Sequence, residues 1–355
     1  MEKLLMTPGP TNVPERVLNK MKENMIHHRT SEYSKIFREL NERLKFVFQT
    51  NSNVLTFPSA GTGALEASII NCFNTGDKVL AISIGDFGDR FIKIAKIYGL
   101  NVDEIRIPWG KAVSLGEIQD KLKEDHKGVI ITHNETSTGA VNPIKEIGEF
   151  LKNKNLIYIV DAVSSLGAID IQMDNWNIDV LATASQKALM CPPGLAFIGL
   201  SPKAIDYCKA SKMPKFYFDF LEGIKYMEKS EPQNPYTPAV SLISAANEAI
   251  TMIEEEGLQN VFLRHKVLAE KFRGEIKGMG LKLFTDERVL SNAITAISLD
   301  NGNGDEIKSR LEKEYNIVVA GGQGATKGKM IRVGHMGYVD DYMIDRTLDA
   351  IRKVI

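Results

Sequence analysis

Short apolar runs alternate with segments of helical periodicity through the first 200 residues. The apolar runs lie at 54–57, 79–84, 102–107, 129–132, 156–160, 180–182 and 195–200. Helical patterns separate most of these runs, for example at 64–71, 90–98 and 144–152. Continuous apolar strands that alternate with helices predict an α/β fold, with a mostly parallel sheet covered by helices on both faces.

The pattern changes after residue 240. In chain order, the segments are helical at 240–256 and 258–276, strand-like at 293–299, glycine-rich at 321–324, strand-like at 331–333 and helical from 340. This mixture predicts a smaller α+β unit at the C-terminus. We therefore expect three parts, which are an N-terminal arm at 1–20, a large α/β domain at 21–255 and a small domain at 256–355.

The beginning of the chain has its own signals. Thr7-Pro8-Gly9-Pro10 cannot be helical and predicts an extended segment with a rigid turn. Ser31 precedes apolar residues spaced at three and four, so we expect it to cap a helix. The apolar stretch at the N-terminus is too short for a signal peptide.

Composition narrows the function classes. The 355 residues carry 44 Lys and Arg against 45 Asp and Glu. Both nucleic acid and anionic membrane surfaces favour basic partners, so neither is expected here. Three cysteines without CxxC spacing argue against a disulfide scaffold and a cysteine zinc site. No apolar run is long enough to span a bilayer. We expect a cytoplasmic enzyme without a metal.

Candidate chemistry lies where the predicted strands end, because ligands bind outside the carboxyl ends of strands in open α/β sheets. A turn of small residues at 59–66 would present free N–H groups to a phosphate, although it lacks the Gly-Lys-Ser/Thr of a Walker loop. Asp161 ends an apolar strand, where a carboxylate either caps a turn or meets a cation. Lys187 follows another apolar strand, and a lysine in such a pocket becomes a Schiff-base nucleophile.

A phosphate cradle, a strand-end carboxylate and a pocket lysine in this order point to pyridoxal 5'-phosphate. That cofactor needs a lysine at its aldehyde and an acidic partner at its pyridinium nitrogen. With these residues in view, the sequence resembles the class V aminotransferases of the type I pyridoxal-phosphate fold, especially the alanine–glyoxylate/serine–pyruvate and serine–glyoxylate group. The shared motifs are TPGP (7–10), HR (28–29), SAGTGALE (59–66), GDFG (85–88), HNETSTG (133–139), DAVSSLG (161–167), SQKAL (185–189), PPG (192–194) and IRVG (331–334).

The resemblance implies the catalytic and substrate-binding residues. Lys187 would form the Schiff base with the cofactor and move the proton between substrate and cofactor. Asp161 would pair with the pyridine nitrogen and keep the ring an electron sink. Arg332 would hold the substrate α-carboxylate, a task for which a guanidinium fork is well suited. Gly9 would lie on the substrate side.

The resemblance also implies the remaining cofactor contacts. Gly61 and Thr62 would bind the phosphate through backbone N–H groups, and Gln186 would assist. Thr136 would reach the phenolic or phosphate side of the ring. Thr237 matches a residue that reaches the phosphate across a homodimer interface, so the resemblance implies shared active sites.

Two positions depart from the family pattern. The residue stacked on the ring, a tryptophan in the mammalian-type enzymes, is Phe87, which offers a smaller face. A tyrosine that contacts the phosphate in the animal enzymes is replaced by Asn234. His28 and Arg29 are assigned a substrate-side role, with the end of a helix as the alternative.

These assignments predict transamination from alanine or serine to glyoxylate or pyruvate, with ping-pong kinetics. Within the fold, 2-aminoethylphosphonate–pyruvate and ureidoglycine–glyoxylate transfer remain alternatives. A cysteine desulfurase would carry histidine at the position of Phe87 and a mobile cysteine beyond Cys208. A nucleotide-binding oxidoreductase would leave Lys187 unexplained, and a non-enzymatic cofactor-binding regulator would not need Lys187, Asp161 and Arg332 together.

Overall fold

The computed structural model describes residues 3–299 and 301–355. Apolar, β-branched runs form most of the strands in this part of the chain. These strands are β1 Leu4–Leu5, β2 Asn53–Pro58, β3 Lys78–Ser83, β4 Asn101–Arg106, β5 Gly128–Thr132, β6 Asn134–Glu135, β7 Ala140–Val141, β8 Ile157–Asp161, β9 Val180–Ala184, β10 Leu195–Leu200, β11 Lys282–Leu283, β12 Ile294–Ser298, β13 Ile317–Val318, β14 Ala320–Gly321 and β15 Met330–Gly334.

Helices fill most of the sequence between the strands. In the described residues they are α1 Glu15–Lys20, α2 Ser31–Phe48, α3 Gly61–Cys72, α4 Asp86–Ile97, α5 Leu115–Lys121, α6 Ile144–Leu151, α7 Pro202–Ala210, α8 Phe220–Met227, α9 Val240–Glu256, α10 Leu258–Gly278, α11 Gly304–Tyr315 and α12 Asp341–Val354. Short 3-10 turns cover Glu287–Val289 and Gly324–Thr326. The cap of α2 is Thr30, whose hydroxyl accepts the N–H of Tyr33. The expectation that Ser31 caps this helix was wrong by one residue.

A seven-stranded sheet forms the centre of the larger part, in the order β2-β10-β9-β8-β5-β3-β4. The pairs β3–β4, β3–β5, β5–β8 and β8–β9 are parallel. Only β10 runs against its neighbours, β2 and β9, in this sheet. The prediction of a mostly parallel sheet is therefore confirmed.

Both faces of this sheet are buried, which explains the continuous apolar runs. Adjacent residues of one strand point to opposite faces of the sheet and pack in different hydrophobic cores. Leu80 and Val129 pack in one core with α2, α5, α6 and α9, whereas Val79 and Ile130 pack in the other with α3, α4 and α7. The carboxyl ends of the parallel strands consequently open at one edge of the sheet, between the two helical layers.

The C-terminal part has a separate four-stranded antiparallel sheet, in the order β11-β12-β15-β14. Its core also contains Leu4 and Met6, because β1 pairs with β13 in parallel. Helix α10 serves both parts, with Val261 in a core of the large sheet and Leu268 in that of the small sheet. The division into 1–20, 21–255 and 256–355 stays a prediction. None of the described helices is long and apolar enough to cross a membrane.

Candidate active site

Lys187 lies in the turn that follows β9, at the carboxyl edge of the large sheet. Its side chain is buried, and its Nζ donates a hydrogen bond to the carbonyl oxygen of Pro8. The turn is closed by the N–H of Met190, which donates to the carbonyl oxygen of Lys187 at 3.1 Å. Lys187 comes three residues after the last residue of β9, Ala184, and so lies just beyond the strand ends.

The N-terminal arm forms one wall around the lysine. Gly9 approaches so closely that an added Cβ would stand 2.4 Å from Nζ of Lys187, and its φ of +120° also favours glycine. The Thr11 hydroxyl donates to the carbonyl oxygen of Lys187 at 3.0 Å, and the Thr11 N–H donates to that of Gln186 at 3.2 Å. The structure thus brings Gly9, predicted from the TPGP motif, against the lysine amine.

Asp161 is the last residue of β8, on the strand next to the one that leads to Lys187. Its Oδ1 accepts the N–H of Val163 at 2.9 Å, and its Oδ2 accepts the Thr132 hydroxyl at 3.3 Å. The carboxylate is buried at the same sheet edge. The adjacent strands β8 and β9 therefore bring an acid and an amine close enough to interact at the same edge of the sheet.

Burial shifts both groups towards their neutral forms. It lowers the pKa of Lys187 from the ordinary 10.5 to about 8, against the opposing charge of Asp161. The positive charges of Arg332 and Arg90 lower the pKa of Lys187 further. Burial likewise raises the pKa of Asp161 to about 6, while the N–H of Val163 opposes that shift. An amine with this pKa has a substantial neutral, nucleophilic fraction near neutral pH.

The amino end of α3 lies beside the turn that follows Asp161. Gly61 packs against Val163, since an added Cβ would stand 2.6 Å from Cγ2 of that valine. No side chain caps the helix, and the N–H groups of Gly63 and Ala64 are taken by the carbonyl oxygen of Ala60. Among the described residues, the N–H groups of Gly61 and Thr62 are left unbonded, as a phosphate site requires.

Phe87 lies in the first turn of α4, near this helix end. The guanidinium of Arg90 lies 4.6 Å from the centre of the Phe87 ring. Nη1 of Arg90 also donates to the Thr62 hydroxyl at 3.2 Å. Because i and i+3 residues share one face of a helix, Phe87 and Arg90 point towards the same region.

Arg332 enters the site from the small antiparallel sheet. It is buried on β15, where Nε donates to the carbonyl oxygen of Gly321 at 2.8 Å and Nη1 to that of Thr136 at 2.9 Å. Nη2 has no hydrogen-bond partner within the described part of the chain. Two carbonyl contacts thus fix the plane of the guanidinium and leave one end free to bind an anion.

Comparison with known proteins identifies the family. The family described as aminotransferase class-V matches residues 4–345. The chain belongs to the class-V aminotransferases.

Individual relatives cover nearly the whole chain. The soluble hydrogenase 42 kDa subunit of Anabaena cylindrica is 40% identical, with 99% of this chain and 93% of that protein covered. The serine–glyoxylate aminotransferase of Arabidopsis thaliana is 35% identical, with 99% and 90% covered. The solved alanine–glyoxylate aminotransferase of Nostoc sp. superposes with a TM-score of 0.95 at 32% identity, with 100% and 95% covered.

Membership of the class-V aminotransferases confirms the expected type I fold and the cofactor, pyridoxal 5'-phosphate. The residues present fit this group. Lys187 and Asp161 are a buried amine and acid on neighbouring strands, and the unbonded N–H groups of α3 are suited to its phosphate. The side-chain oxygen of Gln186 is buried without a hydrogen-bond partner in the described structure, which leaves an acceptor for a donor group of a ligand. The described residues contain no group of three or more His, Cys, Asp or Glu that could hold a metal ion.

The predicted cofactor contacts of Thr136 and Thr237 in this class-V site both stay predictions. The Thr136 hydroxyl donates to Oγ of Ser164 at 2.9 Å, which holds the threonine side chain against the segment after Asp161. Thr237 is exposed and makes no hydrogen bond to the other predicted site residues in the described chain. Its assignment across a homodimer interface stays a prediction. It lines an open surface pocket together with His28, whose substrate-side role is also untested.

Arg29 anchors the segment that leads to Thr237. Its guanidinium donates to Oε1 of Gln233 at 2.9 Å and to the carbonyl oxygens of Asn234 at 2.7 Å and Pro235 at 2.8 Å. Every one of these contacts lies within the chain. Arg29 thus has a clear positioning role for this segment, which its sequence position next to His28 does not show.

Asn234, at the position of a phosphate-binding tyrosine in the animal enzymes, is buried, and its side chain makes hydrogen bonds within the chain. Its side-chain oxygen accepts the Tyr33 hydroxyl, and its amide donates to the carbonyl oxygen of Thr56 at 3.3 Å. The residue therefore secures the segment before Thr237 against α2 and β2.

Glu135 and Arg90 also lie at the site, although the sequence patterns assign neither of them a role. Glu135 is fully buried, and its carboxylate accepts the backbone N–H of Phe87. The guanidinium of Arg90 lies against the Phe87 ring. The i, i+3 spacing from Phe87 could have revealed Arg90. The glycines on both sides of Asp86 and Phe87 were a signal for Glu135, because they indicate a close approach by another segment.

Proposed function

We propose that this protein transfers an amino group between a small amino acid, alanine or serine, and a small 2-oxo acid, glyoxylate or pyruvate. The observation that carries the proposal is the convergence of Lys187 and Asp161, from the large sheet, with Arg332, from the small sheet. A buried amine, a buried acid and a half-satisfied guanidinium match a substrate with one amino group and one carboxylate.

Lys187 is assigned two roles, covalent attachment of the cofactor and proton transfer. Its neutral amine would hold the cofactor through the aldehyde until a substrate amine takes its place. The freed Nζ would then be the group that holds and moves the proton of the substrate Cα. Its partner in this structure, the carbonyl oxygen of Pro8, holds the amine in place without neutralising a charge.

Asp161 is assigned to the pyridine nitrogen. Pyridoxal phosphate, when bound, supplies the aldehyde and a ring that accepts electrons from the Cα–H bond. Asp161 supports this chemistry by keeping the ring nitrogen protonated, and the hydrogen bonds from Val163 and Thr132 hold its carboxylate at the edge of the sheet. Gly61, Thr62 and Gln186 would bind the phosphate, and Phe87 would pack on the ring.

Arg332 is assigned to the substrate α-carboxylate, and Gly9, which lies against Lys187, is assigned to the substrate side of the site. The free Nη2 presents a donor, and Nε and Nη1 keep the guanidinium oriented through backbone carbonyls that compete only weakly with a carboxylate. Glyoxylate and pyruvate carry the same carboxylate as the amino donor, so one arginine serves both halves of a ping-pong cycle.

Relatives named for serine–glyoxylate and alanine–glyoxylate transfer support this choice of substrates. Transfer from 2-aminoethylphosphonate or ureidoglycine remains the alternative on the same machinery. A desulfurase would need a reactive cysteine, but Cys72, Cys191 and Cys208 are all buried, and burial raises the pKa of Cys191 to about 12.

We also propose that the enzyme is a cytoplasmic homodimer in which Thr237 completes the phosphate site of the partner. The exposed position of Thr237 supports this assignment. Three unpaired cysteines are compatible with a reducing compartment.

A half-reaction screen tests the proposed substrates. Enzyme loaded with pyridoxal phosphate is mixed with alanine, serine or 2-aminoethylphosphonate, and the change of the visible cofactor band is followed without an acceptor. We expect alanine or serine to convert the cofactor, and glyoxylate or pyruvate to restore it. Conversion by 2-aminoethylphosphonate alone would overturn the assignment of Arg332 to an α-carboxylate.

A further inference from the structure

Glu135 is a buried carboxylate to which the proposed reaction assigns no role. It ends β6, which pairs with β7 to form a tight hairpin, and its carbonyl oxygen accepts the N–H groups of Thr138 at 3.2 Å and Gly139 at 2.8 Å. Its side chain has no exposed surface. A buried carboxylate is costly unless donors surround it, so its contacts indicate what it holds in place.

The donors come from the hairpin itself and from the first turn of α4. The N–H groups of Phe87 and Gly88 each donate to Oε2 at 3.1 Å, and the N–H and hydroxyl of Ser137 donate to Oε1 at 3.0 and 2.6 Å. The Ser137 hydroxyl in turn accepts the N–H of Asp86 at 3.1 Å. Three N–H groups at the start of α4 are thus satisfied by a segment about fifty positions away, with no capping side chain of the helix's own.

The requirement for glycine at position 85 has the same origin. An added Cβ on Gly85 would stand 2.3 Å from Oγ of Ser137 and 2.6 Å from Cδ of Glu135. Glycine is therefore needed for the carboxylate to reach the helix end, and Phe87 is held by its backbone next to this contact.

The other side of the same hairpin holds Arg332. The carbonyl oxygen of Thr136, the residue after Glu135, accepts Nη1 of Arg332 at 2.9 Å. The carbonyl oxygen of Gly139 accepts the N–H of Ser291 at 2.9 Å, which ties the hairpin to the small sheet's side of the site. The negative charge of Glu135 also opposes the lowering of the Arg332 pKa by burial.

We propose that Glu135 is a positioning residue that fixes Phe87 relative to Arg332, and so sets the space between the cofactor ring and the substrate carboxylate. The proposal rests on the functions proposed above for those two residues. Glu135 contacts neither substrate nor cofactor in this role. It acts through the backbone of α4 on one side and through the Thr136 carbonyl on the other.

Glu135→Gln tests the proposal with little change of volume. An amide has one oxygen acceptor and one NH2 donor, so it cannot accept all four donors, and its NH2 would face an N–H or hydroxyl. We expect pyridoxal phosphate affinity of the apoenzyme to fall about tenfold and KM for the amino donor to rise by a similar factor, as for loss of one hydrogen bond to a charged group. The induced circular dichroism of the bound cofactor should also change, because it reports the orientation of the ring.

Asp179→Asn is the matched control. Asp179 is also a buried carboxylate that accepts a backbone N–H, from Tyr158 at 2.8 Å, but it precedes β9 and so lies at the opposite end of the strand from Lys187. This control should lose thermal stability while cofactor affinity, KM and circular dichroism stay as in the wild type. If Glu135→Gln behaves in the same way, Glu135 is merely structural and the proposal is overturned.

Ser137→Ala provides a second variant if Glu135→Gln does not fold. It removes two hydrogen bonds from the same junction, and we expect shifts of about threefold or more in the same two constants. Unchanged constants in a folded Ser137→Ala protein would overturn the proposal. The wild-type measurement separates this outcome from failure of the proposed function, which would appear as no cofactor binding or no amino transfer in the unmodified enzyme.

Discussion

Lys187 and Arg332 are both buried cations at one site, yet they come from two different sheets and are held differently. Lys187 is 9% exposed and Arg332 is 6% exposed, so the extent of burial does not distinguish them. Lys187 stands on a turn after a strand of the large sheet and has one carbonyl partner for its amine. Arg332 stands within a strand of the small sheet and has two carbonyl partners for its guanidinium.

This difference is consistent with the separate tasks proposed for the two cations. Burial brings the pKa of Lys187 down to about 8, so its amine loses a proton readily and becomes a nucleophile. A guanidinium has a much higher intrinsic pKa and stays charged under the same burial. In the proposed function, the large sheet therefore supplies the reactive group and the small sheet supplies the permanent charge for the substrate carboxylate.

Of the changes that test this comparison, Lys187→Ala should have the largest effect on activity. The alanine variant should lose amino transfer by about 10²- to 10⁴-fold, because it lacks both the nucleophile and the group that moves the Cα proton. The measurement is the single-turnover half-reaction with serine or alanine, with Lys266→Ala on the exposed side of α10 as a control. Wild-type rates in Lys187→Ala would refute the role given to the large sheet.

Arg332→Ala should have an intermediate effect that falls on the substrate and not on the cofactor. We expect KM for alanine or serine to rise about 10- to 100-fold through loss of a charge-assisted hydrogen bond, with little change in pyridoxal phosphate affinity. Steady-state kinetics and a cofactor titration of the apoenzyme measure the two constants. Arg273→Lys, at another buried arginine that donates to the carbonyl oxygen of Ser291, controls for lost stability. Equal losses in both constants would contradict the division of tasks.

The pH dependence of cofactor capture should change the rate by at most about tenfold between pH 7 and 8, but it tests the tuning of Lys187 directly. Only neutral Lys187 attacks the aldehyde, so below its pKa the capture rate should rise about tenfold per pH unit and then level off above about 8. Stopped-flow mixing of apoenzyme with pyridoxal phosphate gives this profile. A rate that keeps rising towards the ordinary lysine pKa of 10.5 would show that burial does not tune the amine.

The strands of the large sheet, and the chain order of the candidate residues that follow them, could be predicted because both depend on local sequence patterns. Strands buried on both faces are continuously apolar, and the residue after each strand lies at the ligand edge. The start of α4 could not be found in the same way. The sequence pattern indicates a helix from residue 90, whereas α4 begins at Asp86, because Glu135 and Ser137 cap it from a distant segment.

The positions of Arg29 and Asn234 were beyond the local pattern for the same reason. Both bind partners about two hundred residues away in sequence, and such contacts form only in the folded chain. The family resemblance supplied Arg332, whose apolar neighbours on a strand could equally have belonged to a solvated edge. Its burial between two carbonyl oxygens is a property of the assembled site.

Lys187 is the residue proposed to capture the cofactor, and borohydride reduction tests this most directly. Wild-type protein is loaded with pyridoxal phosphate, reduced with borohydride and digested, and the modified peptide is identified by mass spectrometry. We predict one modified lysine, Lys187, and loss of the label in Lys187→Ala. A label on another lysine, or none on a protein that binds the cofactor, would contradict the central claim.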